Sequence, residues 1–556
     1  MQFVDNTLRV SASDLVAFSR CPVVSHLDAR VARGELIPPK REDELLELLR
    51  SKGMSHERRY LEELEVQGTK VGTVQDPPSE GDDASKEAGF QRAVRDTLVA
   101  MDRDHEVIYQ ATFLETSEDT GFEWRGHVDF LRRVVDENGH DWMPEDTKLA
   151  GKVSVNAVIQ LLNYADHVAR VTGKRPAQVA IVHGRGASEF PRSVFAVADL
   201  DAYYRSLKRD FIGELTNPVE RYPLPVAHCQ VCRWTEHCQD RWEKDDHLSL
   251  VARLTSQQVK RMNLAGIDTM TELAGLEPGT PVPGIGSEVV ARLSTQARLQ
   301  VSSKGKDVPD YEIVADAEEG MGLWGLPEPD PGDVFYDIEG DPYVGSQGLE
   351  YLHGIGTIDT GSFVFRPDWV DDLQDEKRFL ENFIDEIWER RKKFPGMHVY
   401  HYAPYETTAL KRMVGKHATR VDELDQLLQE ERFVDLYRIV SQGVRVGTRS
   451  YSIKKLEPLY MPKRDVILDG SLSVIRYEQW LSSGDPEIKQ SLIAYNRDDV
   501  ESTWRLRSWL EERRSELVAS GVNLGRPATA DPADVPLSAL RQQARLLSER
   551  LRGTVR

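Results

Sequence analysis

The stretch VFYDIEGDPY (334–343) sets two carboxylates, Asp337 and Glu339, into an apolar run. Alternate residues of a strand share a face, so a strand here aims both acids at one place. Paired acids on a buried face have little structural reason to exist and match the needs of a two-metal site. Downstream, HVYHYAPYETTALKRM (398–413) runs from a strand pattern into a helix and offers Glu406. FVDLYRIV (433–440) offers Asp435, either as a further site acid or as the cap of the next helix. YSIKKLEPLY (451–460) supplies two lysines for a phosphate backbone. IAYNRDDVESTWRL (493–506) puts Tyr495 and Asp499 one turn apart on a helix face.

The order D-x-E, then an acid, then Y-x-x-x-D resembles the DnaQ-like 3′–5′ exonucleases of the RNase H-like fold, closest to the YprB-type branch with a tyrosine in its last motif. The resemblance implies that Asp337, Glu339, Glu406 and Asp499 hold Mg²⁺ or Mn²⁺ and that Tyr495 orients the attacking water. Glu406 stands where that family usually has aspartate, one methylene shorter, which puts the full activity of this site in question.

Working toward the N-terminus, FEWRGHVDFLRRVVDENGHDWMPEDTK (122–148) reads as two strands around an Asn138-Gly139 turn. It places Asp129 on one strand and the D-x-K pair Asp146 and Lys148 on the other. Two acids and a lysine can hold Mg²⁺ or Mn²⁺ and steady charge on a phosphate. A helix over 41–65 carries His56, a further candidate ligand, and is followed by a loop over 72–87. The helix after the hairpin carries Gln160 and Tyr164 on one face.

AHCQVCRWTEHCQD (227–240) holds Cys229, Cys232 and Cys238, and the remaining cysteine, Cys21, lies far upstream. In a reducing cytoplasm such a set is a metal or redox site rather than disulfides. Together with G-x-x-x-H, G-x-x-D, D-x-K and Q-x-x-x-Y, the cysteines make roughly residues 10–245 resemble the RecB-like PD-(D/E)XK nucleases with an iron–sulfur staple, the group of the AddB subunits and the CRISPR-associated exonucleases. The resemblance implies that Cys21, Cys229, Cys232 and Cys238 ligate a 4Fe–4S cluster, with Zn²⁺ on the same thiolates as the rival. It also implies that Asp129, Asp146, Lys148, Gln160 and Tyr164 are catalytic, with His56, Asp129 and Asp146 on the metal.

Between the two blocks, PGIGSEVVARL (283–293) looks like the hairpin of a helix-hairpin-helix, whose use would be backbone amides offered to a phosphate; the alternative is a tight loop between packed helices. The expected organisation is α/β and multidomain: nuclease domain 1–245, helical segment 246–302, linker 303–330, RNase H-like domain 331–517, and a linker with a basic helix over 518–556. A chain of 556 residues also predicts three or four domains. The whole arrangement resembles RecB-like putative nucleases that carry a C-terminal RNase H-like domain, some of them followed by a helicase. With no P-loop motif here, the resemblance implies a helicase in a longer chain or as a separate partner.

Composition, 40% hydrophobic and 29% charged, describes soluble protein, and no apolar run reaches membrane-spanning length. The N-terminus lacks a secretory signal pattern, so a cytoplasmic location is expected. The net charge of −21 opposes a broad basic face but not a narrow basic channel. The leading expectation is a metal-dependent nuclease, an exonuclease on single-stranded DNA ends in repair or processing, whose two sites have opposite polarities. The alternative is a DNA-end-binding scaffold with one or both sites silent, serving a helicase. A third reading makes the cysteine cluster a redox sensor.

Overall fold

The computed structural model describes residues 1–527, except 5, 41–42, 77–81, 118–119, 137–138, 152, 185–189, 316–317, 346 and 463–469. The expected turn residue Asn138 and the expected basic helix after 536 lie outside the described residues. Contacts divide the chain into two compact units, Met1–Lys244 with Gly345–Gln347, and Asp245–Val344 with Gly348 onward. Among the described residues no helix is long and apolar enough to cross a membrane.

The first unit is built on an eight-stranded mixed sheet. Its hairpin pairs Glu123–Asp136 with Gly139–Lys148 in antiparallel register, Phe130 opposite Glu145. Gly139–Lys148 then pairs in parallel with Gln178–His183, Asp146 beside Ile181 and Lys148 beside His183. Parallel neighbours need a crossover, here the helix Val155–Thr172, whose Ser154 cap accepts from the Ala157 amide. The helix expected over 41–65 is Glu44–Val66. The loop expected over 72–87 is shorter than its Gly/Asp/Pro content implied. Val71–Thr73 is a strand, and Asp82 caps a helix from Asp83 by accepting from Ser85 at 2.7 Å.

In the second unit a five-stranded sheet runs Ser362–Trp369, Leu349–Asp359, Val334–Asp341, Val399–His401, Phe433–Asp435. The first two pairings are antiparallel and the last two parallel. Val334–Asp341 is central, and the period of two divides it cleanly. Val334, Tyr336 and Ile338 join the core with Phe383 and Ile384 of helix Leu373–Lys393, Tyr336 stacking on Phe383 at 4.5 Å. Phe335 belongs to the opposite core, with Leu506 and Leu510 of the long helix Pro486–Ala519. Asp337 and Glu339 have the parity of Phe335 and therefore face that helix.

The segment 246–302 contains helices Ser256–Leu264, Met270–Ala274 and Ser287–Ser302. It belongs to the same compact unit as the five-stranded sheet. Gln296 donates to the Val446 carbonyl at 2.8 Å, and Tyr451 donates to the Gln296 oxygen at 2.8 Å. Residues 303–330, expected as a linker, are not free of the core: Tyr311–Ile313 pairs with Val444–Val446, and Leu323 and Leu326 are fully buried. The expected boundary at 517/518 also shifts, because Leu524 is buried and Arg526 pairs with Glu511.

Candidate active sites

In the first unit the hairpin brings the expected residues into one neighbourhood. Asp129 accepts from the Thr147 amide at 2.9 Å and its hydroxyl at 3.0 Å. Asp146 is buried and ion-paired with Lys148. Burial and then the charge of Asp129 push the Asp146 carboxyl well above its ordinary range. Burial works against the Lys148 ammonium, but Asp146 and Asp129 together raise its pKa above the usual lysine value. Gln160 donates to the Tyr164 hydroxyl at 2.7 Å, and Tyr164 feels both acids. His56 is buried against Phe190, ring centroids 5.5 Å apart, with no well-formed hydrogen bond at either nitrogen. Burial lowers its pKa, leaving the neutral ring that can act as a ligand. Glu145, with the opposite parity, pairs with Arg132 and Arg192 on the other face.

The sequence reading passed over two acids here. Glu57 accepts from Gln110, and burial followed by Asp129 raises it to about 7. Asp76 is also raised, by burial and Asp129. Glu57 stands among the many charges of its helix and Asp76 in a loop, so neither carries a local signal.

The four cysteines are free thiols and line one small cavity with Val24, Leu27, Trp234 and Trp242. Cys21 ends helix Ala12–Arg20 and starts Pro22–Ala32, while Cys238 sits on Thr235–Lys244. The amides of Val226 and Trp234 donate to the sulfurs of Cys229 and Cys232 at 3.4 Å each. Burial, then neighbouring cysteines, push the Cys238 thiol up to about 12. The sulfurs are not drawn together as tightly as the acids described next.

The loop Gly284-Ile285-Gly286 precedes helix Ser287–Ser302, with Gly284 at φ +77° and its carbonyl accepting from Arg261.

In the second unit, Asp337, Glu339 and Asp499 each offer a carboxylate oxygen, and these lie within 4.8 Å of one another. Among the described residues this is the one His/Cys/Asp/Glu group so closely gathered. Asn496 donates to Asp337 at 2.7 Å, and Ser473 to Glu339 at 2.7 Å. Burial pushes Asp337 well up, with Asp499 and Glu339 adding to it. Burial raises Glu339 to about 8, against the Ser473 hydrogen bond. Tyr495 is driven far up by burial and the same acids, so it stays a neutral phenol.

Glu406 is not one of the three. Its carboxylate lies 3.3 Å from His401 Nδ1, although its charge still reaches Asp337 and Glu339. Asp435 caps helix Leu436–Gly443, accepting from Tyr437 at 2.9 Å and from the Ala403 amide at 2.8 Å.

Residues 334–511 match the family model of the RNase H superfamily. No curated protein matches the chain.

The second block is thus an RNase H-superfamily, nuclease-like domain with an acidic cluster on the face of its central strand. Buried carboxylates held this close repel one another, and a divalent cation with a preference for oxygen resolves that repulsion. The donor set therefore fits Mg²⁺ or Mn²⁺. Asn496 and Ser473, which orient the acids, went unread in the sequence; only the i−3 spacing of Asn496 from Asp499 could have flagged it, by placing it on the same helix face.

Proposed function

We propose that this chain is a metal-dependent nuclease, an exonuclease acting on single-stranded DNA ends in repair or processing. The observation that carries the reading is the gathering of Asp337, Glu339 and Asp499 within 4.8 Å on an RNase H-superfamily sheet. A cation held by these acids would polarise the phosphodiester and neutralise charge on it. Asn496 and Ser473 fix the orientation of Asp337 and Glu339, and Tyr495, which keeps its proton, shares a hydrogen bond with Asp499. His401 restrains Glu406, which is one methylene longer than the usual aspartate.

Residues 1–245 are read as a second, RecB-like nuclease domain. There Asp129, Asp146 and the neutral His56 would hold the cation, and Lys148 would steady charge on the phosphate. The raised Asp146 and the unsatisfied His56 support this. The four thiols are read as ligands of an iron–sulfur cluster. Four thiols lining one cavity, with two amides donating to sulfur, suit a group that takes thiolates. The resemblance, rather than the spacing, favours that cluster over Zn²⁺. The Gly284–Gly286 loop is read as a phosphate contact, and a helicase as the partner.

The test is digestion of single-stranded DNA labelled at either end, with Mg²⁺ or Mn²⁺ and protein purified without oxygen. Wild type is compared with Lys148→Ala, Asp337→Ala and the double variant. Loss of cleavage in one single variant identifies the dominant site, and the label gives its polarity. Equal products from wild type and double variant would leave DNA-end binding as the function, the reading that the restrained Glu406 favours.

A further inference from the structure

The sequence assigns Lys454 and Lys455 alike to a phosphate backbone, and the structure separates them. Lys455 is exposed. Lys454 is half-buried; its ammonium donates to the Tyr495 hydroxyl and lies 4.4 Å from the centre of that ring. Tyr495 in turn shares a hydrogen bond with Asp499 and stands in the field of Glu339 and Asp337. The same ammonium favours the charged form of Glu339.

A phenol has one proton to give and lone pairs to receive with. An ammonium has only protons to give, so Lys454 must occupy the acceptor side of the Tyr495 oxygen. The phenolic O–H is then left to point away from Lys454, toward Asp499 and the gathered acids. Without that cation the phenol could rotate, or accept from water, and the one donor aimed into the cluster would be lost.

We propose that Lys454 is a positioning residue of the acidic site, holding Tyr495 as a hydrogen-bond donor toward Asp499 and placing a positive charge beside Glu339, and that it does not grip the nucleic-acid backbone. Contact with substrate phosphate falls to Lys455 instead. The inference rests on the acidic cluster being the cleavage site proposed above.

The experiment compares wild type, Lys454→Met, Lys454→Arg, Tyr495→Phe, the Lys454→Met/Tyr495→Phe double variant, Lys455→Met and Asp337→Asn, each checked for an intact thermal transition. Two readouts are taken: steady-state cleavage of a single-stranded oligonucleotide with Mn²⁺, and Mn²⁺ binding by calorimetry without substrate. Lys454→Met is expected to lower kcat about tenfold or more with KM within about twofold, the signature of a loss that is not substrate binding. In the Tyr495→Phe background the same change is expected to cost nothing further, because the two act as one unit. Lys454→Arg should keep most of kcat, and Lys455→Met should raise KM. Lys454→Met should also bind Mn²⁺ several-fold tighter, since a like charge has left the site.

A raised KM with unchanged kcat in Lys454→Met, or losses that add to those of Tyr495→Phe, would overturn the proposal. So would unchanged Mn²⁺ affinity. If the wild type binds Mn²⁺ through Asp337 and shows the Lys454 shift but cleaves nothing, the nuclease reading fails while the placement of Lys454 stands. A wild type that neither binds Mn²⁺ nor cleaves overturns both.

Discussion

Asn496 gives its side-chain amide to Asp337 directly across from Gly354, the residue that pairs with Asp337 on the neighbouring strand. A Cβ on Gly354 would stand 2.1 Å from the Asn496 oxygen. The missing side chain on one strand is what admits the amide that orients the acid on the next. Asn496→Ala is expected to lower Mn²⁺ affinity about 10- to 100-fold, as losing an outer partner of a metal ligand does, with calorimetry as the check. Gly354→Ala should destabilise by about 1–3 kcal/mol through overpacking, measured by denaturant unfolding.

Asp435 separates structure from chemistry. Because its carboxylate is committed to the Tyr437 and Ala403 amides, Asp435→Ala should cost about 1 kcal/mol of stability as a lost helix cap. Its kcat should stay within a few-fold of wild type in the same cleavage assay. A collapse of kcat with stability intact would return Asp435 to the metal site.

His353 predicts acid sensitivity. It is fully buried, its Nδ1 facing the Tyr336 hydroxyl at 2.9 Å and its Nε2 the Glu350 carbonyl at 3.2 Å. The carbonyl can only accept, so Nε2 carries the proton and Nδ1 receives one from Tyr336. Burial depresses its pKa to about 3, against about 6.5 in the unfolded chain. Below pH 6.5 the unfolded chain takes up a proton that the folded one refuses. Stability is therefore full above about 6.5 and falls as pH drops toward 3. Urea unfolding at pH 7 and pH 4.5 should show the loss, and His353→Gln should show a smaller one.

The cysteine cavity yields a compositional test. Cys21→Ser and Cys232→Ser should each lower the iron or zinc content of anaerobically purified protein, and lower the thermal transition of the first unit. Retention of full metal content by both variants would dissociate the cavity from metal binding.

What could be read in advance followed periodicity. The period of two in VFYDIEGD put Asp337 and Glu339 on one face, and the same rule set Asp146 beside Lys148. Where two local signals competed, the sequence could not choose. Asp435 had the look of both a ligand and a cap, and GDDASKE reads as a turn although Asp82 caps a helix there. What was illegible came from tertiary contact: Asn496, Ser473 and Lys454 owe their roles to partners more than forty residues away. Glu406 was expected among the acids of the site, and its turn toward His401, which depends on a strand end and a helix start meeting, left no local signal.

Gln300 closes the helical segment on itself, whereas Gln296 ties it to the domain that follows. Gln296 is spent on Val446 and Tyr451, and Gln300 on the Ala252 amide and the Leu250 carbonyl. Recombination that joined a foreign segment at residue 302 would part Gln296 from Val446 and Tyr451 and strip these buried groups of those partners. The helical segment and the RNase H-superfamily domain are therefore expected to tolerate exchange as one cassette beginning near residue 245 better than a split at residue 302.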